Sequence, residues 1–406
     1  MRENRWTGTA GADAMRWRIC AGIGLLVCVC TAATFGCRQD TASVPAIPVP
    51  GGGKRQPVEI EAAVRSAFRQ ANIKTAAVAV ATEGGPIFVR TLGTRFGARG
   101  VPADDDTVFR AASLSKPVFA YLVLKLVKDR HLDLDRPLHT YLPKRLVQYP
   151  EYADLGGDRR YEAITARLVL THRTGFPNWR WQSPDRKLHV MFDPGTKFSY
   201  SGEGYKYLQF VVEQMTGSDL QALAERLVFT PLGMARTSFA WRDEYGANSA
   251  IDRAPIEEFF GPGFLALPNA AGSLLTTASD YGRFLAAVLA GTGLPPQLRN
   301  EMLRPHVTIA ADRLFGPPAA TGSATGREHT PFWCLGWGGF EDVTGQARFH
   351  VGYDSPEYAN YAVVYPESRV GVVVLTAGGS GPDTLCPTLV EALIGRTNTP
   401  FRWMGY

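Results

Sequence analysis

The stretch FRAASLSKPVFAYLVLKLV, Phe109 to Val127, sets Ser113 and Lys116 at the head of an almost wholly apolar run. Ser113 is of a helix-capping type, and Pro117 is tolerated only in a first turn, so a helix is expected to begin near Ser113. Val118 to Leu124 is apolar on every face, which predicts a helix buried all round. Positions three apart share a helix face, so the Ser113 hydroxyl and the Lys116 amine are expected side by side. Burial disfavours the ammonium form, and a neutral lysine can take the proton of a neighbouring serine. The helix N-terminus also offers N–H groups to a developing oxyanion. A lone S-x-x-K also arises by chance, as a capping serine beside a lysine that leads its charge to solvent.

Outward from this stretch, strands flank a long middle. PVEIEAAVRSAFRQANI places Ile60, Val64, Ala67 and Phe68 at helical spacing. TAAVAVATEGGPIFVRTLG gives two β-rich runs around Glu83-Gly84-Gly85, a hairpin signal. Near the other end, Tyr361–Tyr365 and Val370–Thr376 read as strands around Pro366 to Arg369, and PTLVEALIGR as a closing helix. Hairpins pair antiparallel. The simplest architecture is an α+β fold: one antiparallel sheet from both chain ends, flanked by the terminal helices, with an inserted mainly helical region over roughly 120–320.

The chain has 406 residues, 45% of them hydrophobic and 20% charged, with a net charge of +5. Residues 1–56 hold seven Lys/Arg against three Asp/Glu, so the body is nearly neutral. A neutral body argues against a nucleic-acid partner, which needs a basic face. Arg16 and Arg18 precede ICAGIGLLVCVCTAATFG, an uncharged run of 18 residues from Ile19 to Gly36. A basic flank, an apolar stretch and small residues form an export pattern, and the length also suffices to span a bilayer. TFGC, ending at Cys37, resembles a lipoprotein signal. Thr34 and Phe35 depart from that pattern, so a cleaved signal or an uncleaved anchor stand beside it. Met15 is an alternative start. All three readings put the body outside the cytoplasm, in the cell envelope and periplasmic or otherwise extracytoplasmic; the lipoprotein and anchor readings also attach it to a membrane through its N-terminal segment. TASVPAIPVPGGGKRQ, residues 41–56, reads as a spacer. In the body only Cys334 and Cys386 remain; spacing does not decide between a disulfide and two separate buried thiols. No metal-ligand spacing occurs, so neither a metal nor another cofactor is expected.

Two later stretches bear on the S-x-x-K pair. FDPGTKFSYSGEGY places Tyr200-Ser201-Gly202 after a Pro-Gly turn, and ARFHVGYDSPEYANYAVVYP places His350-Val351-Gly352 on a strand. S-x-x-K, Y-S-x and H-x-G in this order resemble the serine β-lactamase and penicillin-binding superfamily. The branch is the one holding class C β-lactamases, D-alanyl-D-alanine carboxypeptidases, D-aminopeptidases and related esterases. TVFRAASLSKP, LVLTHRTGFPNW, PLGMARTSF, AAGSLLTTASDYGRFLAAVL and CLGWGG extend the likeness over Val58 to Arg396. It implies a β-lactamase/transpeptidase-like fold and a serine hydrolase domain over 57–400, which follows the export signal or anchor expected over 1–37 and the Pro/Gly-rich linker expected over 38–56.

The resemblance implies that Ser113 is the nucleophile, Lys116 its base partner and Tyr200 a proton relay to the leaving group. His350 would border the site, and the N–H groups of Ser113 and Tyr353 would form the oxyanion hole. Two neighbouring cations are expected to depress the Tyr200 pKa, and Gly352 is expected to let substrate approach the strand edge closely. The family's second motif often has Asn where this chain has Gly202, a position that binds a substrate amide. Its third motif often begins with Lys where this chain has His350, which is largely neutral near pH 7. Both departures favour an esterase or peptidase-like amidase acting on a small-molecule or peptide-like ester or amide. The alternatives are a true β-lactamase or D-alanyl-D-alanine carboxypeptidase, and a non-catalytic envelope binding protein on the same fold. His172 is not near the motifs in sequence, and the resemblance implies a packed, hydrogen-bonded structural histidine. Trp179 and Trp181 read as either a cleft wall or a core patch.

Overall fold

Alternation decides how the two ends of the body meet. Along Ile73–Thr82, Ala77, Ala79 and Ala81 join one hydrophobic cluster, while Ala76, Val78 and Val80 join another. Val370–Gly379 divides the same way, with Val373, Leu375 and Ala377 on one side and Val370, Val372 and Val374 on the other. A period of two sends successive side chains to opposite faces, so each strand serves two cores. The computed structural model describes residues 45–96, 100–322, 330–355, 358–379 and 381–406.

The central sheet has eight antiparallel strands. In chain order they are β1 (Ile73–Thr82), β2 (Gly85–Gly93), β3 (Val307–Thr308), β4 (Phe332–Trp333), β5 (Gly338–Asp342), β6 (Gly345–Ser355), β7 (Tyr358–Tyr365) and β8 (Val370–Gly379). Their spatial order is β2-β1-β8-β7-β6-β5-β4-β3, so β1 lies beside β8 and the two chain ends are neighbours. Both expected hairpins form, with Thr82 opposite Gly85 and Tyr365 opposite Val370. The terminal helices α1 (Pro57–Gln70) and α5 (Pro382–Ile394) pack on each other, and their apolar residues join the second cluster. The other face is covered by α4 (Ala278–Ala290), reached through the middle of the chain. The middle also supplies α2 (Ser115–Lys128) and α3 (Gly202–Thr216). Short 3-10 turns lie between Leu138 and Ala163, and shorter helices such as Ala166–Leu170, Leu220–Ala224, Arg253–Phe260 and Pro296–Leu303 follow. The mixed α+β architecture matches the sequence expectation.

Two expectations change or resolve. The described part of the expected linker, from residue 45, is docked on the body. Ile47–Pro48 pairs antiparallel with Lys54–Arg55, and Gly51 and Gly52 take positive φ in the turn between them. Ile47 is buried in the second cluster, and the Arg55 guanidinium donates to the carbonyls of Glu391 and Ala392 at the end of α5. Glycine tolerates that conformation without a Cβ clash, so the Gly-rich run makes a tight turn where it was read as a spacer. The export segment over 1–37 lies outside the described residues. Among the described residues, no helix is long and apolar enough to cross a membrane.

Cys334 belongs to the first cluster and Cys386 to the second, so the sheet separates them and no disulfide joins them. Burial pushes the Cys334 thiol up to about 12, which suppresses the reactive thiolate. Iodoacetamide is therefore expected to leave both cysteines unmodified in the native protein. It should label both after unfolding without reductant, as read by peptide mass; a reductant requirement would contradict the separation.

Candidate active site

Ser113 sits between the short strand Phe109–Ala112 and α2. The helix begins at Ser115 with Leu114 at the cap position, so Ser113 lies just outside the helix and does not cap it. Ala112 adopts φ 49°, a conformation disfavoured for a residue with a Cβ. The surroundings hold that turn firmly. The Ser115 hydroxyl donates to the Ala112 carbonyl at 2.6 Å and accepts from the Leu274 N–H at 2.9 Å. The Tyr281 hydroxyl donates to the Leu114 carbonyl at 3.1 Å.

Lys116 is fully buried. Its amine donates to the Ser113 hydroxyl oxygen at 3.0 Å and to the Ala271 carbonyl at 2.6 Å. Burial holds its pKa well below the ordinary lysine value, with the charge of Asp354 opposing. The Ala271 carbonyl thus orients the amine. Ala271 falls within AAGSLLTTASDYGRFLAAVL, but a backbone acceptor leaves no mark in the residue type.

Tyr200 immediately precedes Ser201, the N-cap of α3, whose hydroxyl accepts from the Gly204 N–H at 2.9 Å. The Tyr200 ring stands 4.8 Å from the Lys116 amine. Its hydroxyl is buried and faces Ser113 without forming a hydrogen bond of ordinary geometry. Burial raises the Tyr200 pKa, with Ser113 opposing. This reverses the expected depression. Lys116 and His350, which stand beside the ring, are themselves held neutral by the same burial, so no pair of cations acts on it.

His350 lies on β6 with its side chain fully buried behind Tyr200, ring centroids 6.0 Å apart. Its Nδ1 is 2.8 Å from the Val351 carbonyl and donates to it, which leaves Nε2 as a buried lone pair with no partner. Burial, followed by the Lys116 charge, pushes its pKa down to about 3. His350 is therefore neutral, as expected, but the imidazole is buried behind the wall and does not line the cleft. His172 occupies the other side of Tyr200, at a centroid distance of 4.2 Å. Its Nδ1 accepts the Ser201 N–H at 3.1 Å, and burial lowers its pKa well below the ordinary value. It is the packed, hydrogen-bonded histidine expected from the sequence, and the fold seats it against Tyr200. A contact between residues 172 and 200 carries no signal in chain order.

Gly352 and Gly202 need glycine for reasons other than substrate. A Cβ on Gly352 would come within 2.4 Å of the Ala111 carbonyl, so β6 runs hard against the strand that leads to Ser113. The Asn360 amide donates to both the Arg110 and Gly352 carbonyls at 3.0 Å and ties those strands together. A Cβ on Gly202 would meet the Trp179 ring at 2.7 Å. The indole covers the position where an amide-binding side chain was expected, and neither glycine lines the cleft. Tyr353 does line it, beside Asp354, which accepts from the Arg110 guanidinium. Arg110 and Asp354 were not singled out in the sequence.

The cleft above Ser113 has a volume of about 720 Å³. Trp179 and Trp181 stack at 4.6 Å along one part of its lining, and Phe260 and Phe264 stack at 4.3 Å along another. Of the two readings of the tryptophans, the cleft wall is the one observed. The site holds Ser113, Lys116 and Tyr200 together, a buried serine–amine pair beside a phenol. That arrangement is suited to nucleophilic attack with proton transfer.

A family model described as Beta-lactamase matches residues 60–392. The chain is similar to Esterase EstB of Burkholderia gladioli, 27% identical over 62% of this chain and 75% of that protein. It is also similar to Penicillin-binding protein 4 of Amycolatopsis lactamdurans, 26% identical over 69% of this chain and 74% of that one. Among solved structures, the octameric penicillin-binding protein homologue from Pyrococcus abyssi superposes with a TM-score of 0.61 at 18% identity, over 84% of this chain and 77% of that chain. At that identity the likeness concerns the fold alone.

The buried His350 has a consequence for stability. Its folded pKa is depressed, so only the unfolded imidazole takes up a proton as pH falls below about 6.5. Stability is full above that pH and is lost on acidification, by about 2 kcal/mol from His350 between pH 7 and pH 5. Denaturant unfolding of the wild type and His350→Gln at both pH values reads the difference. Equal losses in the two proteins would refute the buried neutral imidazole.

Proposed function

The chain belongs to the beta-lactamase family of serine hydrolases, and on that premise we propose that it cleaves a carboxylic ester through an acyl intermediate on Ser113. The observation that carries this reading is the 3.0 Å contact between the Lys116 amine and the Ser113 hydroxyl, made where burial favours the neutral amine. Lys116 takes the serine proton as the Ser113 oxygen attacks the carbonyl carbon. The oxyanion of the tetrahedral intermediate is met by the backbone N–H groups of Ser113 and Tyr353. Tyr200, held as a neutral phenol, passes a proton to the departing alkoxide and recovers one from Lys116. The bond to the alcohol breaks and an acyl-serine remains. Water then attacks the acyl carbon and gives up a proton to the same relay, and the carboxylic acid leaves with Ser113 restored.

An ester fits better than a β-lactam or a D-alanyl peptide. Recognition of those substrates relies on an amide-binding side chain and a cation, and here Trp179 covers Gly202 and His350 is neutral behind the wall. A retired hydrolase that only binds has no chemical reason to keep a desolvated lysine on a serine. The envelope location is part of the same proposal, and it rests on the export pattern of residues 1–37.

A fluorophosphonate is expected to leave one adduct on Ser113 by intact mass, absent in Ser113→Ala. An adduct persisting in that variant, or none in the wild type, would overturn the reading. Lys116→Arg keeps a charge that cannot be lost, and it is expected to lower ester turnover by roughly 10²–10⁴-fold, the usual range for a general base. In the wild type, kcat/KM should rise with pH through an apparent pKa well below that of an ordinary lysine. It should fall on acidification, as the amine takes up its proton.

A further inference from the structure

We propose that the substrate is a neutral ester carrying one large, flat apolar group, the size of a bicyclic aromatic. This deepens the acyl-serine reading and rests on it. Three independent features of the cleft lead there.

The first is the pair of aromatic platforms. Trp179 and Trp181 are nearly parallel, with an interplanar angle of 9°, and Phe260 and Phe264 are tilted by only 12°. A stacked pair extends one flat surface over two rings, and such a surface favours a planar apolar partner. At the cleft, Trp181, Leu267 and Phe315 are all substantially exposed, which is costly for large apolar side chains unless something covers them.

The second is the closure of the polar subsite. A Cβ on Gly202 would lie 2.7 Å from the Trp179 ring, so the indole occupies the space through which an amide-recognising side chain would reach the substrate. The Gly202 N–H is itself consumed, donating to the Asn178 side-chain and backbone oxygens at 3.0 Å. Gly202 is thus the residue that lets Trp179 reach this place.

The third is charge. The cations lining the cleft, Arg110, Arg180 and Lys206, each face a carboxylate already. Arg110 pairs with Asp354, Arg180 pairs with Glu203 at 2.8 Å, and Lys206 is 3.9 Å from Glu203. Glu151 and Glu213 also line the cleft. A substrate carboxylate would meet compensated cations and further carboxylates, and would leave its water without a replacement partner.

The test compares esters of similar intrinsic reactivity on the full protein. Ethyl 3-(2-naphthyl)propanoate against ethyl butanoate places the bicyclic group on the acyl side; 2-(2-naphthyl)ethyl acetate against ethyl acetate places it on the alcohol side. A third pair adds a ring carboxylate to whichever naphthyl ester is faster. The expected result is a kcat/KM at least tenfold higher for one naphthyl ester than for its small counterpart, which also assigns the side. The carboxylate should cost at least tenfold. Trp179→Ala should reduce the naphthyl-to-small ratio at least fivefold while fluorophosphonate still labels Ser113. If that variant does not label, Phe264→Ala is read in its place. Ratios near one in both naphthyl pairs, equal turnover of the carboxylate ester, or an unchanged ratio in the variant would each overturn the proposal. If Ser113 still labels in those cases, the acyl-serine reading stands; a wild type that does not label sinks that reading itself.

Discussion

The desolvated amine of Lys116 is the constraint on which the rest of the site depends. A lysine with no exposed surface is destabilising as an ammonium, and here it is tolerated because the neutral amine donates to the Ser113 oxygen and the Ala271 carbonyl. Those two acceptors lie 158 residues apart in the chain. Bringing them together requires the Phe109–Ala112 strand to pair with Leu274–Thr276, which it does. The strained Ala112 and the hydrogen bonds of Ser115 and Tyr281 around it are parts of the same arrangement. Each holds the turn in which Ser113 stands beside the amine.

The same dryness governs the second layer. Tyr200 lies between His172 and His350, and all three rings contact Trp333. Burial strips hydration from both imidazoles and the amine, the Lys116 charge adds to the effect on each histidine, and all three are driven toward their neutral forms. The phenol keeps its proton and is available as a donor. The histidine at position 350 is thus a neutral acceptor buried behind the cleft wall.

Much of the architecture is legible in the sequence because it depends on local periodicity. The alternation of apolar residues in 76–81 and 370–377, the Glu83-Gly84 turn and the helical spacing of Ile60, Val64 and Ala67 are short-range patterns, and the strands and helices follow them. The Ser113–Lys116 pair is legible for the same reason, since a separation of three residues is local even though Ser113 stands in the turn before the helix. The expected linker went wrong because composition describes the flexibility of a segment and not the surface nearby. Ile47 finds a buried seat that a count of glycines and prolines does not reveal.

The sequence by itself determined the order of the motifs, the antiparallel hairpins and the identity of the serine, the amine and the phenol. These are set by residue type and by spacings of a few residues. Only the tertiary structure decided the protonation and reach of those groups. Whether His350 is a cation or a neutral acceptor, and whether Gly202 opens a polar subsite or seats Trp179, depends on how much water the surrounding chain excludes. Solvent exclusion is the summed effect of segments distant in sequence, and no single stretch encodes it.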